Sequence, residues 1–456
     1  MQAAWQRPFR PISTTLPIFR QDDDAISLFY APTYLVTVAH PHAEAFAQAV
    51  SGRANNVWSG TAEAQTLMAR AADCQREQTA SRPPFVPVGL TIYLHNACNL
   101  HCTYCYAEAL PTRRERLAVE TIRAAARLVA ANCAKRGLPL AVVFHGGGEP
   151  TLDEALLMES LAVVEECAAS QQVDVFRYIA TNGVMSAARA RRIAKHFDLV
   201  GLSCDGMPEI QAKQRPLYGG GSSMPSVERT ARILDEAGTP YHVRVTVTAE
   251  SVPRLEAIAQ YLCEHLHPQE IHVEPVYHAG RAALMPDDEL DTYTFIEAFL
   301  AGRTVAEGYG VKWMNSGSRL WERHGPYCNV FRDVVQITPE GTAVHCFKVA
   351  ETTGANDTRV IGQPNGTRFE IDQQRIEALR QQLSQMPPAC KTCFNRFHCT
   401  RGCPEQCPLE GASDSLPMRC DLLKGLATAA IQRTAADMQA QLQGDIYAIG
   451  REIARP

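Results

Sequence analysis

Eleven of the sixteen cysteines in this 456-residue chain fall in two stretches, three between Cys98 and Cys105 and eight between Cys328 and Cys420. Thiols packed this densely must converge on a disulfide frame or on soft metal centres, which constrains the fold more than any other feature of the chain. The chain is long, and Met1–Arg20 lacks the charged start and apolar run of an export signal. Metal or redox chemistry is therefore expected rather than disulfides. The other five cysteines (Cys74, Cys133, Cys167, Cys204, Cys263) are scattered singly and are expected to act as small buried apolar residues.

Between the two stretches the sequence alternates. Apolar, strand-like runs occur at Leu90–Leu94, Leu140–Phe144, Phe176–Ala180, Leu199–Ser203, Val243–Thr248 and Ile271–Glu274. Helical patterns separate them at Val119–Ala134, Glu154–Ala169, Ala187–His196, Ser226–Ala237 and Arg254–Glu264. Six strands alternating with helices predict an α/β fold with a parallel sheet, either a partial barrel or a doubly wound sheet, with its chemistry at the C-terminal strand ends. Residues 1–85 read as a separate N-terminal α+β region: strands Ala25–Tyr30 and Tyr34–Ala39, helices His42–Val50 and Thr61–Cys74, then the proline-rich linker Ser81–Pro87. It is expected to be either a structural cap or a peptide-recognition element that pairs a peptide along a strand edge. The expected boundaries are 86–303 for the alternating domain, 304–425 for a cysteine-rich domain and 426–456 for a C-terminal helix, within an Ala/Leu-rich pattern over Asp421–Gln443.

With 44 Lys+Arg against 49 Asp+Glu, the net charge of -5 gives no footprint for nucleic acid or an anionic membrane. No apolar run reaches the ~20 residues that span a bilayer, so a cytoplasmic protein is expected.

The first cysteine group reads Cys98-Asn-Leu-His-Cys102-Thr-Tyr-Cys105-Tyr106 and directly follows a predicted strand. Three thiolates give a four-iron cluster three ligands and leave one iron open to a small molecule; zinc, with His95 or His101 as fourth ligand, also fits the local spacing. Later strand ends carry Gly147-Gly148-Glu149-Pro150, Thr181-Asn182-Gly183 and Ser203-Cys204-Asp205-Gly206, then Arg244 on the fifth strand and Glu274-Pro275 at the end of the sixth. Glycines at 146–148 let backbone approach a ligand closely, and Glu149 can accept a charge-assisted bond from an ammonium.

From about Val88 to Arg281 this set resembles the radical S-adenosylmethionine (SAM) superfamily. The resemblance implies a partial (β/α)6 barrel like a TIM barrel, with Cys98, Cys102 and Cys105 as catalytic cluster ligands. Gly147, Gly148, Glu149 and Pro150 would hold the SAM amino group. Asn182 belongs to the stretch after the third strand, Ser203 and Asp205 would lie near the ribose and carboxylate, and Arg244 would reach the SAM carboxylate or the substrate. Tyr106 would lie against the adenine or pack in the core. The implied chemistry is reductive cleavage of SAM to methionine and a 5′-deoxyadenosyl radical that takes a hydrogen atom from an unactivated C–H bond.

The second group runs Cys328, then Gly341 four residues before Cys346, then Cys390-x2-Cys393-x5-Cys399-x3-Cys403, with Cys407 and Cys420 beyond. It resembles the SPASM domain of peptide-modifying radical SAM enzymes; locally, a pair of zinc knuckles also fits. By the resemblance, Cys390, Cys393, Cys399 and Cys420 hold one auxiliary four-iron cluster. Cys328, Cys346 and Cys403 hold another, with Cys407 or an open iron completing it, so three 4Fe-4S clusters are expected. The resemblance further implies a precursor peptide as substrate and a flavodoxin or ferredoxin as electron donor. The expected reaction is oxidative cross-linking, thioether or carbon–carbon, of a ribosomally made peptide. The alternatives are a peptide epimerase, a dehydrogenase like the sulfatase maturases, a small-molecule radical SAM enzyme, or a protein that only carries electrons. Sulfatase maturases place an aspartate after the cysteine corresponding to Cys346; Phe347 stands here, which weighs against formylglycine formation.

Overall fold

The computed structural model describes residues 6–23, 25–79, 82–113, 115–276, 279–284, 290–323, 328–354, 356–399, 418–442 and 446–455. Cys403 and Cys407 lie outside them. The chain forms two compact units, one of residues 1–83, 317–327 and 381–456, the other of 84–316 and 328–380. The expected boundaries at 303/304 and 425/426 fall within helices Thr292–Gly308 and Met418–Gln439.

In the first unit, strands β1 (Arg10–Pro11), β2 (Phe19–Asp22), β3 (Ile26–Ala31) and β4 (Tyr34–Ala39) form an antiparallel sheet. Every residue of β3 is buried, because both faces of the sheet are covered. Phe29, Ala31, Val36 and Val38 pack on Phe46, Ala47, Leu67 and Ala71 of helices Ala43–Val50 and Ala62–Thr79. On the opposite face Leu28, Tyr30 and Leu35 pack on Phe394 and on Ala427, Ile431 and Ala435 of helix Met418–Gln439. The two strands read from sequence are present; a strand neither composition nor periodicity signalled, Ala448–Glu452, pairs antiparallel along β4 from Val38 to Tyr34. The β4 edge, which could have paired with a peptide, is thus taken by the chain itself.

The second unit holds the six expected strands: β5 (Gly89–Ile92), β6 (Leu140–Phe144), β7 (Val175–Thr181), β8 (Leu199–Ser203), β9 (Tyr241–Val247) and β10 (Glu270–Pro275). They are parallel, each beside the one before it in sequence. A doubly wound sheet reverses strand order at a switch point. Order without reversal is that of a barrel wall, which decides between the two expected architectures. The sheet then extends with β11 (Lys312–Met314) beside β10. At its other edge β12 (Val334–Ile337) lies parallel to β5, followed by the antiparallel strands β13 (Ala343–Val344), β14 (Val360–Asn365) and β15 (Arg368–Ile371). Helices Val119–Arg136, Glu154–Ala169, Ala187–His196, Met224–Ala237 and Leu255–His265 connect the strands. Their start and stop signals are ordinary: Asp153 and Ser186 cap two N-termini by accepting from Leu156 N and Arg189 N, and Gly137 and Gly238 end two helices in the left-handed conformation. Along β9, Tyr241, Val243, Val245 and Val247 are buried outward, so His242, Arg244 and Thr246 face the other side of the sheet.

Candidate active site

The strand-end motifs gather at one mouth because backbone and side chain tie each to the next. The amides of Gly148 and Glu149 donate to the carbonyls of His95 and Ala97 at 2.9 and 2.8 Å, clipping the β6 loop to the base of the cysteine loop. A Cβ on Gly148 would stand 1.9 Å from the Ala97 oxygen, so the glycine is needed for contact with the chain itself. Gly148→Ala is expected to push these loops apart and lower the iron the protein retains after anaerobic reconstitution; wild-type iron in that variant would show that the clip is dispensable.

Glu149 is buried at 2% exposure. Its Oε1 accepts from Thr151 N and Oγ1 and from Thr181 Oγ1, and its Oε2 from Asn182 N at 2.7 Å. Burial pushes its carboxyl upward against the pull of these donors. Asn182 in turn donates to Asn99 Oδ1 at 2.8 Å and to Cys98 Sγ at 3.8 Å, and Leu100 N donates to the same sulfur at 3.5 Å. Burial drives the Cys98 thiol up to about 12 and the Cys102 thiol to about 11, and the neighbouring thiols add to both shifts.

Asp205 is fully buried. It accepts from Thr246 N and Gln214 Nε2, each at 2.9 Å, and from the Tyr104 hydroxyl, and it pairs with Arg215 Nε at 3.1 Å. The Arg215 guanidinium lies over the Tyr104 ring, 5.4 Å from its centroid. Asp205 therefore anchors the interior of the cysteine motif to β9, and both its oxygens are engaged by the protein. Ser203 sits beside Arg244 in the β8–β9 register. The Tyr106 hydroxyl is 3.4 Å from that of Tyr93, which donates to the Phe347 carbonyl at 2.6 Å; the Tyr106 ring meets Phe347 edge-on. Pro150 begins a short turn capped by Glu149.

Sequence reasoning missed Tyr104, Gln214 and Arg215, although Tyr104 lies inside the cysteine motif. It also missed a ladder on the inner strand faces, where the Tyr178 hydroxyl is 3.3 Å from His242 Nε2 and His242 stacks on His272 at 4.6 Å. The alternation of β9 and β10 could have found it. Burial, with Arg244 nearby, lowers His145 to about 3; burial, His272 and Arg244 lower His242 to about 3. These histidines stay neutral in the folded chain down to that pH, whereas the unfolded chain protonates them below about 6.5. Stability is fully present above that value and falls as pH drops toward 3, with about 2 kcal/mol lost per histidine by pH 5. Urea midpoints at pH 7 and 5 check this; replacing His242 with Phe should shrink the difference.

The second cysteine group divides between the units. Cys390, Cys393, Cys399 and Cys420 belong to the first; Cys328 and Cys346 belong to the second. The Cys393 amide donates to the Cys390 carbonyl at 3.2 Å, and Asn395 Nδ2 reaches the Leu423 carbonyl on the helix that carries Cys420. Asn329 N bonds the His345 carbonyl at 3.2 Å, which brings the neighbours of Cys328 and Cys346 together. All five scattered cysteines are buried, as expected; Cys74 also accepts from Arg323 Nη1 at 3.4 Å. Among the described residues, no helix is long and apolar enough to cross a membrane.

The sequence model of the Radical SAM superfamily matches residues 92–262. Fe-coproporphyrin III synthase of Methanosarcina barkeri is 28% identical over 195 residues, 42% of this chain and 45% of the relative. A cysteine-type anaerobic sulfatase-maturating enzyme of Clostridium perfringens is 27% identical over 175 residues, 37% and 46% of the two chains. The chain thus spans somewhat under half the length of these relatives. Among solved structures, anSMEcpe with bound AdoMet superposes with a TM-score of 0.61 at 17% identity, over 77% of this chain and 96% of that one. SuiB of Streptococcus suis bound to precursor peptide SuiA gives 0.51 at 13% identity, over 84% and 95%. At these identities the structures attest the fold.

Proposed function

We propose that the chain is a radical SAM enzyme of the SPASM type, that it cleaves SAM reductively at a cluster held by Cys98, Cys102 and Cys105, and that it oxidatively cross-links a precursor peptide; the match of residues 92–262 to the Radical SAM superfamily model supports the first part. The observation that carries the reading is the bonded chain of strand-end motifs, from Gly148 and Glu149 to the Cys98 loop, through Asn182 to Cys98, and from Asp205 to Tyr104.

The residue types suit the cofactors: three thiols on one loop are a donor set for soft iron, which binds them as thiolates. Among the described residues no three His, Cys, Asp or Glu side chains are placed to hold a single metal ion, so the fit is one of donor chemistry. His95 Nε2 and Asn96 Oδ1 on the same loop are buried without a partner among the described residues, so the loop has polar capacity for a ligand. Together, bound SAM and a reduced cluster supply a 5′-deoxyadenosyl radical that abstracts hydrogen from carbon.

The chain's own residues do the rest. Asn182 and the Leu100 amide direct N–H groups at the Cys98 sulfur. Glu149 has a lone pair on Oε2 left for an ammonium and holds the Asn182 turn in place. Arg244 stands on the inner strand face, where it can meet a carboxylate. Tyr106 and Phe347 place two aromatic rings beside the loop. The Cys390, Cys393, Cys399, Cys420 set would hold one auxiliary cluster and Cys328, Cys346 and Cys403 a second, giving three in all, with a flavodoxin or ferredoxin as donor. In a cross-link the substrate carbon would give up a hydrogen atom and the partner group a proton, and an auxiliary cluster held by Cys390, Cys393, Cys399 and Cys420 would supply an acceptor for the remaining electron.

The peptide substrate is supported by the fold shared with SuiB and with the sulfatase maturases; the lack of an acid at Phe347 weighs against formylglycine. A small-molecule substrate is the second reading, favoured by the match to the Methanosarcina synthase. The test is anaerobic incubation of reconstituted protein with SAM and dithionite, with 5′-deoxyadenosine measured alone and with peptides encoded beside the gene. Deoxyadenosine formation coupled to loss of a hydrogen pair from a peptide supports cross-linking. A peptide mass unchanged in ordinary water but raised by deuterium uptake in heavy water would instead mean epimerisation, coupling to a tetrapyrrole alone would mean the second reading, and no deoxyadenosine at all would overturn both.

A further inference from the structure

The segment after β10 returns to the back of the cysteine motif. Gly280 adopts φ +55, and a Cβ there would stand 2.5 Å from the carbonyl oxygens of both Cys105 and Tyr106, so only glycine brings the segment this close. Arg281 follows. Its backbone amide donates to the Cys105 carbonyl at 3.0 Å, its Nε to the Cys102 carbonyl at 2.9 Å and its Nη1 to the Ala109 carbonyl at 3.2 Å. One residue therefore fastens the motif at two points, both carbonyls of proposed cluster ligands, and the chain just beyond it at a third.

Its charge is placed as deliberately as its hydrogen bonds. The charged or ionisable groups that act on Cys102 are Arg215, Arg281, Cys105 and Asp205. Arg215 and Asp205 pair with each other at 3.1 Å. Arg281 spends its donors on neutral carbonyls, and among the described residues no carboxylate is ion-paired with it. Of the two arginines that act on Cys102, Arg281 is the one without an ion-paired carboxylate among the described residues. It also lines a cavity of about 440 Å³ with His101, Thr103, Lys213 and Glu250, and there Lys213 and Glu250 are ion-paired with each other at 2.5 Å.

We propose that Arg281 is a positioning residue whose fixed positive charge raises the reduction potential of the cluster held by Cys98, Cys102 and Cys105. Adding one electron makes that cluster more negative by one charge, and a cation held at the Cys102 carbonyl favours the reduced state. The electron comes from the one-electron donor already required for SAM cleavage, and no other bond or proton changes. The inference rests on the cluster assignment above and adds a determinant that lies outside the cysteine and SAM motifs.

The test compares wild type, Arg281→Gln and Arg281→Lys as full-length reconstituted proteins, with iron content and an EPR-monitored redox titration. The cluster in question is the one whose EPR signal changes on adding SAM. Glutamine keeps a donor and removes the charge; lysine keeps the charge. At a fixed potential near the midpoint, Arg281→Gln is expected to lower the reduced-to-oxidised ratio about tenfold, which is about 59 mV for one electron, with wild-type iron. Arg281→Lys is expected to stay close to wild type. Unchanged potentials in both variants would overturn the proposal, as would equal lowering in both, since the charge would then not be the cause. Loss of iron in both would reduce Arg281 to a structural clamp and also overturn it. A wild type without any SAM-responsive cluster would instead refute the cluster assignment, so the two failures are told apart.

Discussion

Replacing Cys98, Cys102 and Cys105 together with alanine is expected to abolish deoxyadenosine formation, a loss of at least a thousandfold, while the C-terminal clusters stay in place. The cofactor supplies the hard chemistry in such a site, and the protein cannot replace it. Iron should fall from about twelve to about eight per chain, the numbers that three four-iron clusters and then two would give. The fold should survive, because the β5–β10 wall is closed by its own apolar strands and the removed thiols sit on a loop beyond it. Circular dichroism and iron analysis on the same sample make the check. Retained turnover would overturn the assignment of the site. A wild-type value near four would leave the SAM cluster standing and remove the auxiliary ones, and with them the main support for peptide cross-linking.

The barrel wall was legible because each strand carries a row of buried apolar residues, as at Leu90 and Ile92, at Leu140, Val142 and Phe144, and at Ile271 and Val273. Such runs read as strands, and all six were found within a few residues. The helices were equally plain where a cap marked them, as at Asp153 and Ser186. The small strands escaped for the opposite reason. Arg10–Pro11 has two exposed residues and Ala448–Glu452 is only half-buried, so neither carries an apolar signature; each exists because a neighbouring strand offers an unpaired edge. β13 is buried but only two residues long, too short for a periodic signal, and β14 with β15 is a local hairpin closed at Asn365 and Arg368 whose outer half is exposed.

At the site, motif spacing located the loops and said little about what binds what inside them. Gly148 was read as room for a ligand, and its nearest neighbour is the Ala97 carbonyl. Asp205 was read as a group near the ribose, and its two oxygens are engaged by Tyr104, Gln214, Arg215 and Thr246. Gln214 and Arg215 come from helix Pro208–Gln214 and its C-terminus, an element without a motif. Partners supplied by such elements have no local signal, because what selects them is the buried charge they must satisfy.

That buried charge sets the largest expected effect on stability. Arg215 and Asp205 are a pair at 3.1 Å with side chains 11% and 0% exposed. Burial by itself would lower the guanidinium's affinity for its proton; Asp205 and then Tyr104 more than offset this and hold it above its ordinary value. Arg215→Met removes one partner and leaves a carboxylate enclosed by protein, which costs about 3–5 kcal/mol. Asp205→Asn strands the guanidinium in the same way and also weakens the bonds from Tyr104 and Thr246. The double variant Arg215→Met/Asp205→Asn leaves no uncompensated charge and should be less destabilised than the sum of the two single changes, by about 2 kcal/mol or more. Urea unfolding of the four proteins measures the coupling. Strict additivity would show that the two residues do not act as a pair, and that Asp205 is held by Tyr104, Gln214 and Thr246 alone.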